Sequence, residues 1–418
     1  MKRSLLLSLF VCPLALHAGG VLLYEIGTAE VRLASAGWAA RAEDPSTTFT
    51  NPAGLTRIAD RQIQVGGEVI NCHLRFDPNQ KTTIKGSDGD ATIWLPSGSF
   101  FYAQPLTEKL SIGFGSLGYF GSDLHFDSDN WVGRYYVDYS FLEGFSLVAS
   151  AAYRLTDSLS IGLGGTTMFA LFREKNSIRN SLDGLKDGQL KMHDERLSGG
   201  AIAGILYEFS PCTRVGVQYL SPIHFHFQDI PTFVDIGPRL LEILRITGLL
   251  NSKVKINVTV PQSVMLSTYH AFNSSWAVMA DFGWQQWSQF QKLSVTLSSE
   301  SARSLTFLPK YQDTWHGALG VEYSLNPCWV FSGGVAYDSS AVTDANRTLD
   351  FPVGEAWRFG TGARWFYSNA LTFDLCYELC WSGDLPVNVN RGPLAGAVHG
   401  AFENTYVQFF SANLIWWF

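Results

Sequence analysis

The stretch 371–382 alternates strictly between apolar and polar or small residues, and this period of two is the feature that most constrains the fold. One set is Leu371, Phe373, Leu375, Tyr377, Leu379 and Trp381, and the other is Thr372, Asp374, Cys376, Glu378, Cys380 and Ser382. Successive side chains of a β-strand point to opposite faces of its sheet. The stretch therefore predicts a strand with one apolar face and one polar face.

Fourteen segments of strand type follow Asp60, joined alternately by short and long connections. They are placed at 61–75, 92–103, 110–126, 141–153, 159–173, 196–209, 214–227, 252–268, 276–287, 311–324, 329–338, 356–367, 371–382 and 403–418. An even number of strands with connections of alternating length is typical of a closed antiparallel barrel. In 252–268 the alternation sets Val254, Ile256, Val258 and Val260 opposite Lys253, Lys255, Asn257 and Thr259.

The composition indicates that the apolar face of these strands contacts lipid. Charged residues make up only 16% of the 418 residues and aromatic residues 14%, which suits strands that end in interfacial aromatic belts. Beyond residue 18, no apolar run approaches the ~20 residues of a membrane helix. Since only helices and closed barrels satisfy their backbone in lipid, we predict an all-β, fourteen-stranded transmembrane barrel over 59–418 in the outer membrane of a Gram-negative-type bacterium. The mild formal charge of -7 gives no reason to expect nucleic acid as a partner.

The chain before the strands reads as two segments. Residues 1–18 have the form of an export signal: two basic residues, an apolar run and a small-residue cleavage site ending at Ala18. Residues 19–58 are rich in small residues, follow no single period for long, and end in the turn-forming Asn51, Pro52, Ala53 and Gly54. Because such a segment cannot make its own core, we predict that it is a plug, or hatch, inside the barrel.

Charges of mixed sign fall on the inward faces of the last strands. The principal ones are Arg358, Arg364, Asp374 and Glu378. Buried charges are tolerated when they are paired, so we expect the arginines to pair with the carboxylates or with plug residues. This structural role is favoured over the alternative, in which Arg358 or Arg364 binds the carboxylate of a ligand.

The sequence contains no motif that indicates an enzyme, a metal site or a cofactor. Five cysteines follow the predicted signal, and Cys376 and Cys380 lie about 13 Å apart on one strand, too far for a disulfide. We expect mostly free thiols. His224 and His226 share a strand face and could bind metal, but a satisfied pair in the lumen is the favoured interpretation. A barrel phospholipase is a further alternative.

Several segments resemble the FadL-type long-chain fatty acid transporters of outer membranes, a family that includes relatives that take up aromatic hydrocarbons. The matching segments are 37–44, 50–55, 152–155, 204–208, 287–291, 336–340 and 346–347. The resemblance implies a barrel closed by an N-terminal hatch. It also implies capture of a hydrophobic ligand by two extracellular loops, a pocket bounded by the hatch, and exit through a gap beside a kinked third strand.

Two segments suit those steps. Loop 228–251 is more apolar than an exposed loop should be, with a spacing near the helical period. Its predicted capture residues are Phe233, Leu240, Leu241, Leu244 and Leu249, and simple packing on the barrel rim is the alternative. In the third strand, glycines predict a bulge or bend at Gly118, Tyr119, Phe120 and Gly121, our candidate for the lateral opening. Close approach of the plug to the wall would explain those glycines equally well.

We therefore predict passive outer-membrane transport of long-chain fatty acids or similar hydrophobic molecules by a monomer that contacts outer-membrane lipid and needs no cofactor. Uptake of aromatic hydrocarbons on the same fold is the alternative. An adhesin or a structural porin, whose loops should be polar, is the alternative from another class.

Overall fold

The computed structural model describes residues 22–180, 182–296, 304–307 and 310–418. The predicted export signal and the first three residues of the predicted plug lie outside this range. No helix in the described part of the chain is long and apolar enough to cross a membrane.

Fourteen strands of the described chain close into one antiparallel barrel. They are β1 (Gln62–His73), β2 (Ile93–Pro105), β3 (Leu110–His125), β4 (Tyr139–Arg154), β5 (Leu159–Ile178), β6 (Gly188–Ser210), β7 (Thr213–Leu220), β8 (Ser263–Ala271), β9 (Trp276–Gln285), β10 (Thr314–Asn326), β11 (Trp329–Asp338), β12 (Ala356–Ser368), β13 (Leu371–Asn390) and β14 (Ala397–Trp417). Each strand pairs with the next, and β14 pairs with β1 to close the ring. The predicted fold class and number of strands are confirmed.

Aromatic side chains mark the two edges of the lipid-facing band. On four consecutive strands they stand eight positions apart: Trp276 and Trp284, Tyr323 and Trp315, Trp329 and Tyr337, Trp365 and Trp357. Eight residues at ~3.3 Å each, tilted as barrel strands are, give a band about 20 Å tall. The lower belt adjoins the short turns, and the upper belt lies below the long loops.

The prediction that 214–227 and 252–268 are continuous wall strands is wrong for the upper half of each segment. The segment 214–227 divides into β7 and a separate strand at Ile223–Asp229, and 252–268 divides into Lys253–Val260 and β8. Pro222 and Pro261 stand at the two breaks. Proline has no amide hydrogen for the ladder, so the chain leaves the wall at both positions.

The displaced strands form a second sheet on the side of the long loops. Its order is Ile223–Asp229, Lys253–Val260, Gln291–Thr296 and Ser304–Phe307. The alternating apolar residues Val254 to Val260 are buried under this sheet instead of facing lipid. His224 and His226 lie on its exposed face, beside Thr259 and Asn257, so their predicted place in the lumen is wrong.

The other elements are short. Strands lie at Arg75–Pro78, Gly89–Asp90 and Thr232–Val234, and helical turns or helices at Ala29–Leu33, Thr47–Thr50, Pro52–Arg57, Pro238–Ile246, Trp287–Gln289 and Gly392–Ala395. The predicted loops 174–195 and 383–402 are mostly strand, because β5, β6, β13 and β14 continue beyond the lipid band.

Residues 22–58, called the hatch segment below, lie inside the barrel. All but four of them are buried. The turn Ala29–Leu33 contacts β10 to β14, whereas Pro52–Arg57 contacts β2 to β6. The segment thus contacts both halves of the wall, and the inner face of the wall is buried against the hatch segment.

Candidate ligand path

The barrel wall is open between β2 and β3. Their ladder ends at Ser99 opposite Leu117, and within the described chain the upper parts of the two strands do not pair with each other. β2 continues to pair with β1, and β3 with β4. The wall therefore has a gap between the upper parts of β2 and β3.

A bulge in β3 lies at this gap. The register with β4 shifts between Gly118 and Phe120, so Tyr119 is the extra residue. An extra residue bends its strand. Tyr119 and Phe120 are only 3% and 1% exposed, so the bent strand turns toward the interior. The structure thus brings the segment 118–121, proposed from its glycines, to the edge of the gap.

The start of the hatch segment covers the gap from inside. The Leu23 amide donates to the Tyr119 carbonyl at 2.8 Å. Leu22 forms an isolated antiparallel bridge with Phe120. The chain at 22–23 therefore acts as a short extra strand on the edge of β3 that β2 leaves unpaired.

A small apolar cavity of about 20 Å³ lies behind this contact. Its walls include Leu22, Tyr24, Trp38, Phe49 and Tyr119. Sites that hold drug-sized ligands are about 300–1,000 Å³. The cavity is therefore far smaller than a site for a molecule of that size.

Buried apolar side chains connect this cavity to the loops above. One contiguous cluster joins Trp38 and Phe49 in the hatch segment to Phe225 and Phe227 in the second sheet. It also contains Trp287, Phe290 and Phe351, whose rings pack against one another at centroid distances of 4.9–6.3 Å. The interior is thus apolar from the loop layer down to the gap.

The predicted capture loop carries an exposed apolar helix. No residue of Pro238–Ile246 is buried, and Ile246 is 76% exposed. The predicted residues Leu240, Leu241, Leu244 and Leu249 are half-buried, as is Phe233 on the strand Thr232–Val234. Leu182 and Leu185 of the neighbouring loop are also exposed. The sequence analysis did not identify this second loop, because charged residues such as Lys186 and Asp187 lie beside its leucines.

Two polar residues hold those loops together. The buried Asn180 side chain donates to the carbonyls of Lys186 and Asp235 at 2.7 and 2.8 Å, and it accepts from the Gly237 amide at 3.1 Å. Asp183 accepts from amides in the first turn of the helix at 3.3 and 3.4 Å, where a carboxylate is favoured. Both loops therefore form one apolar surface, the capture surface.

The predicted hatch motif is seated against β5 and β6. The Asn51 amide donates to the Ala39 and Ile205 carbonyls at 2.6 and 3.0 Å, and its oxygen accepts from Ala53 at 3.1 Å. A Cβ at Gly204 would lie 1.9 Å from Asn51, and one at Gly162 would touch Pro52 and Ala53. Gly54 packs against Thr47 within the hatch segment. The motif thus fits a wall whose glycines leave it room.

The four predicted lumen charges meet in pairs. Arg364 contacts both Asp374 oxygens at 2.7 and 3.0 Å, and Arg358 lies 3.3 Å from Glu378. Arg358 also pairs with Asp338 at 2.5 Å. All of these groups are at least nine-tenths buried except Asp338.

The same arginines reach into the hatch segment. Arg358 pairs with Glu25, and Arg364 lies 3.3 Å from Asp44. Sequence reasoning missed the reverse contact: Arg32 of the hatch segment binds Glu322 at 2.7 Å and Asp374 at 3.2 Å. The available signal was a charged residue within a segment of small residues. The charges therefore join hatch to wall in both directions.

Ser35, His316 and Asp338 are linked in the same order as the residues of a hydrolase catalytic triad. His316 lies 3.0 Å from the Ser35 hydroxyl through Nε2 and 2.7 Å from Asp338 through Nδ1. The Ser35 hydroxyl also donates to the Ala34 carbonyl at 2.6 Å, and Ser35 is 1% exposed. This line is a further hatch-to-wall contact with no access for a substrate. No cluster of three metal-type ligands occurs in the described ranges.

A plugged barrel with a gap in its wall and an apolar interior defines a class of protein, the outer-membrane transporters of hydrophobic molecules. Residues 10–413 match the family described as outer membrane protein transport protein (OMPP1/FadL/TodX), and the chain belongs to that family. The resemblance drawn from the sequence is thereby confirmed.

Three known proteins show the similarity. The long-chain fatty acid transport protein of Salmonella typhi is 23% identical, with 94% of each chain covered. The crystal structure of a Pseudomonas aeruginosa FadL homologue gives a TM-score of 0.86 at 20% identity, covering 95% of this chain and 99% of that one. The Ralstonia pickettii toluene transporter TbuX gives 0.66 at 17%, covering 95% and 100%. The protein is an outer-membrane transporter of hydrophobic molecules and not an enzyme.

Proposed function

We propose that the protein carries long-chain fatty acids passively across the outer membrane. A ligand binds first to the capture surface, passes to the cavity bounded by the hatch segment, and leaves sideways through the gap between β2 and β3. The observation that carries this proposal is the gap itself, since it opens from the apolar interior toward lipid at the bulge of Tyr119.

The capture surface suits an amphipathic ligand. Its exposed apolar side chains include Leu182, Leu185 and Ile246, and basic Lys186 and Arg239 stand beside them in the same two loops. Apolar area of this kind binds an acyl chain, and a neighbouring cation attracts a carboxylate. An aromatic hydrocarbon would use only the apolar part. The relative described as a long-chain fatty acid transport protein supports the same preference.

The contacts of Arg358 and Arg364 favour a structural role for these two residues. Arg358 is engaged by Glu25, Asp338 and Glu378, and Arg364 by Asp374 and Asp44. A ligand carboxylate would have to displace buried partners whose loss leaves unpaired charges. The proposal therefore places the ligand's carboxylate at the loops and not at these arginines.

Passage requires the start of the hatch segment to move. Residues Leu22 to Tyr24 line the cavity, and Leu22 and Leu23 also occupy the free edge of β3. Their withdrawal would enlarge the cavity and uncover the gap in one motion. No energy source is needed, since the ligand moves down its own gradient.

Equilibrium binding of a fluorescent long-chain fatty acid to the purified barrel tests the proposal. We expect saturable binding that unlabelled fatty acid displaces and toluene does not. Replacing Ile243 and Ile246 together by Asp should weaken binding at least tenfold, because both lose buried area on the bound chain. Leu106→Asp is the matched control, since Leu106 is 47% exposed on a short turn at the other end.

Each outcome decides something. Displacement by toluene at similar concentrations would favour the aromatic-hydrocarbon alternative. Absence of any saturable binding would contradict the transport proposal as stated, and equal loss in the control variant would show that the capture surface is misplaced.

A further inference from the structure

The outward face of the second sheet carries two histidines on one strand. The strand Ile223–Asp229 buries Phe225 and Phe227 on one side and exposes His224 and His226 on the other. Residues two apart in a strand point the same way, with Cα atoms about 6.6 Å apart. His224 and His226 are the only histidines in the chain that are separated by a single residue. The two imidazoles are therefore neighbours on a surface that solvent reaches.

The neighbouring strand holds both rings through the same nitrogen. Nδ1 of His226 lies 2.7 Å from Asn257 Oδ1, and Nδ1 of His224 lies 3.0 Å from the Thr259 hydroxyl. An amide oxygen only accepts hydrogen bonds, so Nδ1 of His226 carries the proton and its Nε2 carries the free lone pair. The Thr259 hydroxyl can accept from His224 in the same way. Both Nε2 atoms are then left to bind a ligand from solvent.

A fixed Nδ1 and a free Nε2 are what a metal-binding histidine requires. Metal-ligating histidines ordinarily donate their other N–H to an oxygen of a neighbouring group, which sets the tautomer and orients the ring. Two nitrogens on one Zn²⁺ ion, each about 2.1 Å from the metal, stand roughly 3.3 Å apart at a tetrahedral angle. Since both rings are exposed, they can lean toward each other to reach that separation.

The charges on this face indicate which kind of metal fits. The outward-facing residues of the two strands include no carboxylate: they are His224, His226, Gln228, Lys253, Lys255, Asn257 and Thr259. Ca²⁺ and Mg²⁺ need several oxygen ligands, carboxylates above all, and the two lysines would repel them. Cu²⁺ and Zn²⁺ bind neutral imidazole well, and Cu²⁺ binds it more tightly. The face therefore favours a divalent transition metal.

We propose that His224 and His226 form a two-histidine site for a divalent transition metal, Cu²⁺ or Zn²⁺, on the outward face of the second sheet. Water completes the coordination, since no third histidine, cysteine or carboxylate joins the pair within the part of the chain that the structure describes. The site rests on neither the gap nor the capture surface. It also does not depend on which hydrophobic molecule the protein carries.

Metal binding should stabilise the second sheet. The other side of Ile223–Asp229 places Phe225 and Phe227 in the apolar cluster that extends from the loops into the barrel. An ion that binds only the folded strand stabilises it increasingly as the ion concentration exceeds the Kd. Coordination at Nε2 also makes Nδ1–H of His226 a stronger donor to Asn257 on the paired strand. The metal site is thereby coupled to the order of the sheet that covers the interior.

Copper titration of the purified barrel tests the site. The cysteines after residue 18 are replaced by serine and no histidine tag is left, so that these competing ligands are absent. We expect one Cu²⁺ ion to bind tightly per chain, with an electron paramagnetic resonance spectrum that shows two nitrogen ligands. Zn²⁺ at higher concentration should displace it, whereas Ca²⁺ and Mg²⁺ should not.

Substitutions at the site should each weaken copper binding. His224→Ala or His226→Ala should lower the affinity at least about tenfold and leave one nitrogen ligand in the spectrum, because the second imidazole binds intramolecularly. Asn257→Ala removes only the oxygen that orients His226 and should cost about tenfold. His399→Ala is the matched control. Nδ1 of His399 also lies 3.0 Å from an asparagine oxygen, that of Asn388, but alanines stand two positions to either side. Unchanged affinity in both histidine variants, or an equal loss in the control, would overturn the site.

Hydrogen exchange on the unaltered protein gives a second measurement that needs no substitution. The amides of Ile223–Asp229 should exchange at least about tenfold more slowly at saturating Zn²⁺, because the bound ion opposes local opening of the strand. The amides of Arg75–Pro78, a strand in another long loop, should exchange at the same rate with and without metal. No slowing in Ile223–Asp229, or equal slowing in both strands, would contradict a site on this strand.

Discussion

The amide of Leu23 donates to the carbonyl of Tyr119 at 2.8 Å, and Tyr119 is the residue that bulges from β3. The same backbone edge could pair with β2 or with the hatch segment, but not with both. In this structure the hatch segment pairs with that edge of β3. Closure of the gap and closure of the cavity are therefore one contact.

Locking that contact should stop transport without preventing capture. Leu22 and Phe120 are partners in an antiparallel bridge. The Cα atoms of such partners are about 4.5–5.5 Å apart, within the range that a disulfide spans. In a background without the native cysteines, Leu22→Cys with Phe120→Cys should oxidise spontaneously. We expect oxidised barrels to bind fluorescent fatty acid normally but to lose nearly all uptake into cells.

Reduction should restore uptake in that double variant, and each single cysteine variant should transport with or without reductant. Undiminished uptake by the oxidised form would show that the ligand leaves by a route other than this gap.

Neighbouring glycines on β1 should respond oppositely to alanine. A Cβ at Gly66 would lie 1.8 Å from the Gly27 carbonyl oxygen in the hatch segment, whereas nothing lies within 4 Å of one at Gly67. Gly66→Ala should lower the free energy of unfolding by about 1–3 kcal/mol through overpacking. Gly67→Ala should raise it by about 0.4–1 kcal/mol through a stiffer unfolded chain. Urea titration of the barrel in lipid vesicles measures both, and similar values for the two would contradict the seating of the hatch on Gly66.

The capture surface should come apart when Asn180 is shortened. Its amide side chain is the shared partner of Lys186, Asp235 and Gly237. Asn180→Ala should leave barrel stability unchanged and weaken fatty acid binding about tenfold, because the loop and helix no longer hold one shape. Asn346→Ala, in another long loop, is the control. Unchanged affinity in Asn180→Ala would place ligand capture elsewhere.

Alternation along the strands predicted the barrel and its strand number but could not say which apolar face meets lipid. Val254, Ile256 and Val258 alternate just as a wall strand does, yet they are covered by loops instead. A period of two reports only that one face is buried, and lipid and protein interiors satisfy it equally. The distinguishing signal was local: Pro222 and Pro261 interrupt both segments where the chain leaves the wall.

The candidate site was predicted less completely than the fold. The glycines at Gly118 and Gly121 indicated a bend, because strand glycines often mark one. The gap beside it depends on where the β2 ladder stops, a register that no local pattern encodes. Contacts such as that between Arg32 and Asp374 join positions 342 residues apart, so only the closed barrel brings them together.

The buried arginine of the hatch segment should be the strongest single link between hatch and wall. Arg32 is fully buried, and its guanidinium contacts Glu322, Asp374 and Ser332. Arg32→Met would keep most of the volume but leave the Glu322 carboxylate without its 2.7 Å partner. Removing one member of a buried ion pair costs about 3–5 kcal/mol, so the free energy of unfolding should fall by that amount.

Two comparisons separate charge from packing in this variant. Arg245→Met breaks the exposed pair with Glu242 and should cost less than about 1 kcal/mol. Adding Glu322→Gln to Arg32→Met should recover part of the loss, because the remaining amide is neutral, while Asp374 keeps Arg364 at 2.7 Å. If the double variant is no more stable than Arg32→Met, the loss comes from packing, and the ion pairs do not hold the hatch segment in the barrel.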